Sequence, residues 1–429
     1  MSSSEAAIWG YGREGQAALA HLRETRPDLT LVILNDTPVS DAPSGVEVLV
    51  ADAAKEALIS GRFALVVKSP GISLYRPEIA QAKVKGTRFT SGTNLWFEAH
   101  PNARTIAITG TKGKSTVSRL IHHLLIKGGF DAKLLGNVGV AALNETPARD
   151  WTVFELSSYQ LADFDHAADI GVLTNLYPEH APWHGGVETY YRDKLTVFHD
   201  HKTLAIANRA HDEVFTRVKD RGNLVWFNDA SGFHETGGKL FFGTHEVPVT
   251  HFALRGAHNI ANLAAACTAA EQAGVTGLRE RVDMTDFEQL AHRLEEFVAH
   301  EITCVDDSIS TVPQATLAAL AAYADRPLVL IAGGSDRGQD YEELAEALMR
   351  ANIAALILLP LTGARLRAAL EKRGVAFPIV DAGKLAEAVA QAFVHVPKDG
   401  VVLLSPAAPS FEEFANFEER GRAFKAACA

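Results

Sequence analysis

The sequence predicts an α/β protein of three domains, each built around a mostly parallel sheet, and two observations support this prediction. The chain has 429 residues, and a typical domain takes roughly 100–200 residues, so a single compact core cannot account for it. Short runs rich in β-branched residues also alternate with helical patterns along the chain. That alternation is typical of βαβ units and parallel sheets.

The predicted domains span residues 1–97, 98–298 and 299–429. We expect the first and third to be Rossmann-like. The predicted strands are 6–9, 29–34 and 63–68 in the first domain, 105–109, 151–156, 170–174 and 203–207 in the second, and 327–332, 353–359 and 401–404 in the third. The predicted helices include one that ends near residue 23 and an Ala-rich one at 259–273, and residues 223–249 are interpreted as short antiparallel strands.

Composition narrows the classes of function. The net charge is −11, whereas a nucleic-acid or membrane-surface binder normally carries a basic patch. The three cysteines have no CxxC spacing, which argues against a disulfide framework or a zinc site. No apolar run is long enough to cross a bilayer, and no leader-like segment is evident. We therefore expect a cytoplasmic protein with no nucleic-acid or membrane partner.

A glycine-rich turn between a buried strand and a helix is the clearest chemical signal. It comprises Gly110, Thr111, Lys112, Gly113, Lys114, Ser115 and Thr116. Glycines let backbone N–H groups surround phosphates, Lys114 brings positive charge to the β and γ positions, and a hydroxyl of Ser115 or Thr116 can hold Mg²⁺. The full P-loop pattern has glycine where Ile108 stands, and a helix-capping turn is the alternative. The turn predicts a nucleotide-phosphate site, and we expect the central domain to resemble a P-loop ATPase.

Another glycine turn, Gly10 to Gly15, lies earlier in the chain and is called the first glycine turn. It follows the first predicted strand and opens a helix. With Asp36 at the end of the next strand it fits a dinucleotide site, but the same geometry serves any diphosphate. Ser69, Pro70 and Gly71 end the third strand and are expected to form the opposite wall of the crevice. Close packing of helix on strand without a ligand is the alternative.

Ordered matches along essentially the whole chain resemble the Mur ligases, most closely the muramoyl-alanine glutamate ligases. The matching segments are Gly110 to Thr116, Gly136-Asn137-Val138-Gly139, Glu155-Leu156-Ser157-Ser158-Tyr159-Gln160-Leu161, Thr174-Asn175, Glu179-His180, Gly256-x-His258-Asn259-x-x-Asn262, His292-Arg293, Asp307-Ser308, Ser405-Pro406-Ala407 and Ser410-Phe411. The resemblance implies a monomeric, ATP- and Mg²⁺-dependent ligase that joins glutamate to UDP-N-acetylmuramoyl-L-alanine through an acyl phosphate. The first glycine turn would then hold the UDP diphosphate.

The resemblance also assigns the catalytic and metal residues. Glu155 ends a buried strand, where an unpaired carboxylate is costly, so a cation is expected beside it. In the family that cation is Mg²⁺, and the implied metal set is Ser115, Glu155, His180 and Lys194, the lysine as a carbamate. Lys114 completes the implied catalytic set. Without the resemblance, a loop histidine is usually solvated and a helical lysine usually lies on the surface.

Further ATP contacts and the UDP-substrate contacts are implied in the same way. Asn259 and Asn262 lie three residues apart on one helix face and suit a purine edge, although helix capping explains one of them. Arg293 would reach the ATP phosphates together with Asp307, and a salt bridge from Arg293 to Glu295 or Glu296 is the alternative. The implied UDP-substrate residues are Gly12, Arg13, Glu14, Asp36, Ser69, Pro70, Gly71, Asn137 and Ser158.

One segment of this chain departs from the family pattern, at the residues implied to bind the incoming amino acid. Members that add D-glutamate have Asp-Ser-Lys-x-Thr, whereas this chain has Asp307-Ser308-Ile309-Ser310-Thr311. Loss of a cation that faces a dicarboxylic substrate costs about 1–3 kcal/mol unless another group replaces it. We predict L-glutamate, as in the branch that depends on a separate glutamyl epimerase, with D-glutamate as the alternative. The implied amino-acid residues are Thr311, Arg337, Ser410, Phe411 and Phe417.

Three other functions explain less. An NAD-dependent oxidoreductase accounts for the first glycine turn and Asp36 but leaves Lys114 and Glu155 without a role. A folylpolyglutamate synthase shares the phosphate loop but has no need of a diphosphate-binding unit before it. A nucleotide-gated switch without catalysis has no need of His180 and Lys194.

Overall fold

The computed structural model describes residues 5–39, 41–137, 141–288, 291–336, 338–411 and 413–429, with only the backbone of residue 314. These residues form two compact units. The first reaches Phe252 and resumes over Ala257–Phe287, and the second comprises Ala253–Gly256 and Glu288–Ala429. Within the described ranges, no helix is both long enough and apolar enough to span a membrane.

The first unit begins with a five-stranded parallel sheet in the order β3-β2-β1-β4-β5. Its strands are Glu5–Trp9 (β1), Thr30–Asn35 (β2), Glu47–Val50 (β3), Leu65–Lys68 (β4) and Arg88–Thr90 (β5). Its helices are Arg13–Thr25 (α1), Asp52–Ile59 (α2), Pro77–Val84 (α3) and Gly92–Ala99 (α4). The strand order reverses between β1 and β4, where ligands of open α/β sheets usually bind. The two predicted walls of this crevice follow these strands: Gly10–Gly15 comes after β1, and Ser69–Gly71 comes after β4.

A six-stranded parallel sheet with the order β11-β10-β9-β6-β8-β7 completes the core of the first unit. Its strands are Thr105–Thr109 (β6), Ala132–Gly136 (β7), Trp151–Glu155 (β8), Ile170–Leu173 (β9), Leu204–Asn208 (β10) and Leu224–Phe227 (β11). The helices are Lys114–Lys127 (α5), Ser158–Leu161 (α6), Ala181–His184 (α7), Val187–Leu195 (α8), Asp212–Val218 (α9) and Ala257–Gln272 (α10), with 3₁₀ turns at Ala142–Asn144 and Thr196–Phe198. Because β6 is central and fully buried, the loop that follows it is held on a rigid base.

The interpretation of residues 223–249 as antiparallel strands is wrong at both ends. The strand β11 pairs in parallel with β10, because helix α9 carries the chain back across the sheet as a βαβ crossover. Antiparallel pairing joins the next three strands, Phe233–Thr236 (β12), Lys239–Phe242 (β13) and His245–Glu246 (β14). Two short strands, Val249–Thr250 (β15) and Val282–Asp283 (β16), pair in parallel.

The second unit contains a six-stranded sheet in the order β17-β18-β22-β19-β20-β21. Its strands are Glu295–Ala299 (β17), Ile302–Asp306 (β18), Leu328–Gly334 (β19), Ile353–Leu361 (β20), Ile379–Asp381 (β21) and Val401–Leu404 (β22). Its helices are Pro313–Ala322 (α11), Glu342–Arg350 (α12), Thr362–Glu371 (α13), Leu385–His395 (α14) and Phe417–Cys428 (α15). The sheet is parallel except at β17, which forms a hairpin with β18. The strands predicted at 327–332, 353–359 and 401–404 are confirmed, whereas the domain boundaries stay a prediction.

Candidate active site

The glycine-rich loop between β6 and α5 has the backbone that phosphate binding requires. Gly110 and Gly113 have φ of +148° and +81°, which side chains disfavour. A Cβ on Gly110 would collide with Thr174 Oγ1, and one on Gly113 would lie 2.6 Å from Asn262 Oδ1. Lys114 Nζ lies 3.0 Å from both Gly110 O and Thr111 O, so its charge is held over the loop.

Two residues at the end of β9 hold this loop, and the sequence motifs assigned them no role. Thr174 Oγ1 donates to Lys112 O at 2.7 Å, and Asn175 Oδ1 accepts from Lys112 N at 2.8 Å. Thr111 N in turn donates to Asn175 O at 2.9 Å. A Thr-Asn pair directly after a buried strand is the signal that could have revealed this support.

Glu155 is placed as expected for a cation ligand. It ends β8, is 1% exposed, and accepts hydrogen bonds at Oε1 from Ser115 Oγ at 2.9 Å and Asn137 Nδ2 at 3.4 Å. Its buried Oε2 has no hydrogen-bond partner in the described part of the chain. A buried carboxylate oxygen without a donor is costly unless a cation meets it. Carboxylate and hydroxyl oxygens are the ligands that Mg²⁺ prefers, so these residues fit that ion.

Lys194 is buried, which overturns the surface interpretation of a lone helical lysine. It lies on α8, and its Nζ donates to Gly110 O at 2.7 Å. Burial lowers the pKa of this amine well below its usual range, and the nearby Lys114 charge lowers it further. Burial therefore favours the neutral form of the amine directly beside the phosphate loop.

His180 belongs to the same site but is partly exposed. Its backbone has φ of +52°, and its Nδ1 lies 3.0 Å from Tyr159 Oη. Burial of part of the ring lowers its pKa, and the Glu179 carboxylate opposes that shift. Glu179 also pairs with Lys112 at 2.5 Å, and His180 Nε2 lies 3.8 Å from Glu179 Oε2, so Glu179 lies between the histidine and the loop.

A cavity of about 350 Å³ brings most of these groups together. Its lining includes the predicted residues Arg13, Glu14, Pro70, Thr111, Lys114, Asn137, Ser158, His180 and Lys194. It also includes Gly136, Ser157, Tyr159, Gln160 and Tyr190, to which no role was assigned. Tyr190 Oη lies 2.9 Å from Thr111 Oγ1 and supports the phosphate loop from the side. The cavity thus connects residues of the first glycine turn with those of the phosphate loop.

The first glycine turn combines packing with open space. A Cβ on Gly15 would collide with Gly10 O, so packing alone explains that glycine. Around Gly12 and Gly71 a Cβ would meet no atom within 4 Å, which leaves room for a ligand. Ser69 Oγ donates to Gly10 O at 2.6 Å and joins the two walls.

Asp36 and the asparagines of α10 lie outside the lining of this cavity. Asp36 Oδ2 pairs with Arg76 Nη1 at 2.9 Å, so it is already engaged. Asn262 Nδ2 donates to Asn259 Oδ1 at 3.2 Å, and Asn262 packs behind Gly113. Both asparagines are therefore beside the phosphate loop at the start of α10.

In the second unit, Asp307 is a buried carboxylate that follows β18. Its Oδ2 accepts from Ser310 Oγ at 2.5 Å and Ser405 Oγ at 2.7 Å. Burial raises the pKa of Asp307 to about 6, and the two hydroxyls and the Arg293 charge oppose the shift. The two glutamates considered as partners of Arg293 form other pairs, since Glu295 meets Lys425 at 2.6 Å and Glu296 meets Arg255 at 2.5 Å.

The predicted amino-acid residues have mixed surroundings. Ser410 is buried, Thr311 and Phe417 are half-buried, and Phe411 is 60% exposed. Ser308 Oγ donates to Phe417 O at 2.8 Å, which fixes the start of α15 next to the Asp307 loop. Ile309 is half-buried. Arg337 lies outside the described residues.

The three larger sheets, the geometry of the phosphate loop and the Glu155 carboxylate, whose Oε2 meets no donor among the described residues, fit the class of enzymes that bind a nucleotide through its phosphates. Two family models identify the class. The Mur ligase middle domain matches residues 108–270, and the Mur ligase, glutamate ligase domain matches residues 292–408.

Similar proteins cover nearly the whole chain. A UDP-N-acetylmuramoyl-L-alanine--L-glutamate ligase from Xanthomonas euvesicatoria pv. vesicatoria is 35% identical, over 99% of this chain and 95% of the relative. The protein of the same name from Salinispora tropica is 38% identical, over 99% of this chain and 97% of the relative. Among solved structures, MurF ligase from Thermotoga maritima in complex with ADP has a TM-score of 0.60 at 14% identity, over 98% of this chain and 93% of that one. UDP-N-acetylmuramate-alanine ligase MurC from the same organism has a TM-score of 0.60 at 16% identity, over 98% of both chains.

The chain belongs to the Mur ligase family. It is an ATP-dependent ligase that forms an amide bond.

Proposed function

We propose that this ligase acts in peptidoglycan precursor synthesis and adds L-glutamate to UDP-N-acetylmuramoyl-L-alanine, releasing ADP and phosphate. One observation carries the proposal: the chain matches relatives named for this reaction over 99% of its length at 35–38% identity. We place the reaction in the cytoplasm, with the protein as a monomer and a separate glutamyl epimerase acting on the product.

The chemistry follows from the charges around the phosphate loop. The loop N–H groups and Lys114 neutralise charge as the γ-phosphoryl group moves to the alanyl carboxylate, which forms an acyl phosphate. The glutamate amine then forms the C–N bond as the C–O bond to phosphate breaks. No nucleophilic side chain is needed, because positioning and electrostatics supply the rate. The proposed ATP roles of Arg293 and Asp307 rest on the resemblance.

Glu155 and Ser115 would hold Mg²⁺, with His180 and a carbamylated Lys194 as the further proposed members of the set. The Oε2 of Glu155, which meets no donor within the described ranges, supports this assignment. The buried Lys194 amine, with its lowered pKa, supports the carbamate, because only a neutral amine adds CO₂. When bound, Mg²⁺ would offset the negative charge that develops on the transferred phosphoryl group.

The preference for L-glutamate is proposed on Ile309. An apolar side chain cannot pair with a carboxylate, and exchanging D for L swaps the directions of the side chain and α-carboxylate relative to the amine. The absence of the lysine found in the D-glutamate branch is therefore consistent with a different orientation of the bound glutamate. Thr311, Ser410, Phe411 and Phe417 are proposed as the remaining contacts of the amino acid.

The test offers purified protein ATP, Mg²⁺ and UDP-N-acetylmuramoyl-L-alanine with L-glutamate or D-glutamate, and follows phosphate release and the new amide. We expect product with L-glutamate. Product with D-glutamate alone would reject the stereochemical proposal, and no product with either would reject the substrate proposal. Lys114→Ala serves as the inactive control.

A further inference from the structure

Three buried side chains form a hydrogen-bonded row at the edge of the same cavity. Ser158 Oγ lies 3.0 Å from His184 Nε2, and His184 Nδ1 lies 2.6 Å from Asp193 Oδ2. Tyr75 Oη donates to both carboxylate oxygens of Asp193, at 2.6 and 2.8 Å. Ser158, His184 and Asp193 are each less than 5% exposed. Of these four residues only Ser158 lines the cavity, so the other three can influence a ligand there only through the Ser158 hydroxyl.

The chemistry of the row decides which way its hydrogens point. A carboxylate only accepts hydrogen bonds, so Asp193 requires the N–H of His184 to be on Nδ1. Neutral imidazole then has a lone pair on Nε2, and the Ser158 hydroxyl must donate to it. Tyr75 supports this direction of the hydrogen bonds, because its hydroxyl also donates to Asp193 and keeps the carboxylate an acceptor. The Ser158 oxygen therefore keeps only lone pairs for the cavity.

We propose that Asp193 and His184 are positioning residues that make Ser158 Oγ a dedicated acceptor for the alanyl amide N–H of the substrate. The inference rests on the proposed function. The cavity runs from Arg13 and Pro70 of the diphosphate crevice to Lys114 of the phosphate loop. With the diphosphate at one end and the reacting carboxylate at the other, the part of the substrate between them carries amide N–H groups. The alanyl N–H is the one next to the reacting carboxylate.

The matched substrate pair is UDP-N-acetylmuramoyl-L-alanine and its ester analogue, in which oxygen replaces the alanyl N–H. The two differ at one donor and keep the same carboxylate. Wild-type protein is expected to prefer the amide by roughly tenfold in kcat/KM and in Kd, the effect of one hydrogen bond. In Ser158→Ala the ratio should fall to about one.

Asp193→Asn tests the direction of the row with an isosteric change. The carboxamide N–H₂ donates to His184 Nδ1 and moves the imidazole N–H to Nε2, as a change of tautomer. Ser158 then receives a hydrogen bond and turns its own O–H towards the cavity. The amide-to-ester ratio should drop below one, and the ¹⁵N shifts of the His184 ring should report the exchanged tautomer. A row with a purely structural role would leave the substrate ratio unchanged.

Asp200→Asn is the matched control, since Asp200 Oδ1 faces the exposed His201 Nδ1 at 3.6 Å. It should keep the wild-type ratio. Equal use of amide and ester by active wild-type protein, or an unchanged ratio in Asp193→Asn, would overturn the inference. Absence of ligation by wild-type protein would instead reject the proposed function, and calorimetric Kd values for the two compounds would still decide the role of Ser158.

Discussion

Glu155 in the first unit and Asp307 in the second are both carboxylates buried at the ends of parallel strands, but their surroundings differ. Glu155 has one oxygen that meets no donor in the described residues. Both serine hydroxyls near Asp307 donate to a single oxygen, Oδ2. A buried carboxylate oxygen without a donor can accept a cation from solution. A carboxylate that accepts hydrogen bonds from neighbouring hydroxyls instead holds the surrounding loop in place. The carboxylate of the first unit therefore leaves room for a cation, whereas the hydroxyls around Asp307 also hold together the loop that follows β18.

The largest effect on activity is expected when the positive charge of the phosphate loop is removed by mutation. Lys114→Ala should lower kcat/KM by roughly 10³-fold, because the charge moving with the γ-phosphoryl group loses its compensation. ADP formation measures it. Lys127→Ala, on the last turn of the same helix and paired with Asp286, is the control and should match wild type. Activity of Lys114→Ala within tenfold of wild type would contradict this role.

The next largest effect is expected at Glu155, and it tests whether this buried carboxylate binds a metal ion. Glu155→Gln keeps an acceptor for Ser115 Oγ but loses the charge, so activity should fall roughly 10²-fold and half-maximal activity should need more Mg²⁺. A Mg²⁺ titration of the ligation rate measures both. Glu145→Gln, at the Lys133 ion pair, should change neither. An unchanged Mg²⁺ dependence in Glu155→Gln would show that the metal binds elsewhere.

Asp307 should also make the stability of the protein depend on pH. Its pKa of about 6 exceeds the unfolded value near ~3.9, so the folded state binds more protons between these two pH values. The free energy of unfolding should therefore fall as pH rises from about 4 to about 6, by about 3 kcal/mol in total. Urea unfolding of wild type and Asp307→Asn over this range tests it.

The asparagine variant should lack that pH-dependent loss. Asp336→Asn, at the Arg365 ion pair, is the control and should follow wild type. Parallel pH profiles for wild type and Asp307→Asn would show that Asp307 is not the titrating group.

The smallest expected effect concerns the second unit's specificity. Ile309→Lys restores a cation where the D-glutamate branch has one, and should move the D-to-L ratio of kcat/KM by roughly tenfold towards D-glutamate. Ile309→Met changes shape without charge and should leave the ratio near wild type. If both variants shift the ratio alike, side-chain volume rather than charge sets the preference.

Local patterns were enough to predict much of the first unit's site. The strand at 105–109, the loop through Thr116 and the following helix form one continuous segment, so their geometry depends on neighbours in sequence. The same holds for Glu155 at the end of a buried strand. The prediction of the loop needed only the pattern of strand, glycine turn and helix, and the cation beside Glu155 followed from the cost of burying a carboxylate, with Mg²⁺ implied by the resemblance.

Other features escaped sequence reasoning because they depend on distant partners. A run such as Leu224–Phe227 suits either kind of pairing, and only the crossover through α9 makes it parallel. The local pattern around Lys194 is that of any helical lysine, so the resemblance alone gave it a role, and its burial depends on the distant Gly110 O that accepts its hydrogen bond. Thr174 and Asn175 form a matched segment to which no role was assigned, yet they hold the loop more than 60 residues away.

The sequence by itself determined the three larger α/β sheets and the glycine-rich loop after a buried strand, and it placed a carboxylate, Glu155, at the end of another buried strand. Each is a property of residue type or of short-range periodicity, which the chain carries before it folds. Tertiary structure decided the burial of Lys194 and the row from Ser158 through His184 to Asp193. Those depend on hydrogen bonds between three separate elements, and such bonds exist only once packing has brought the elements together and excluded water from between them.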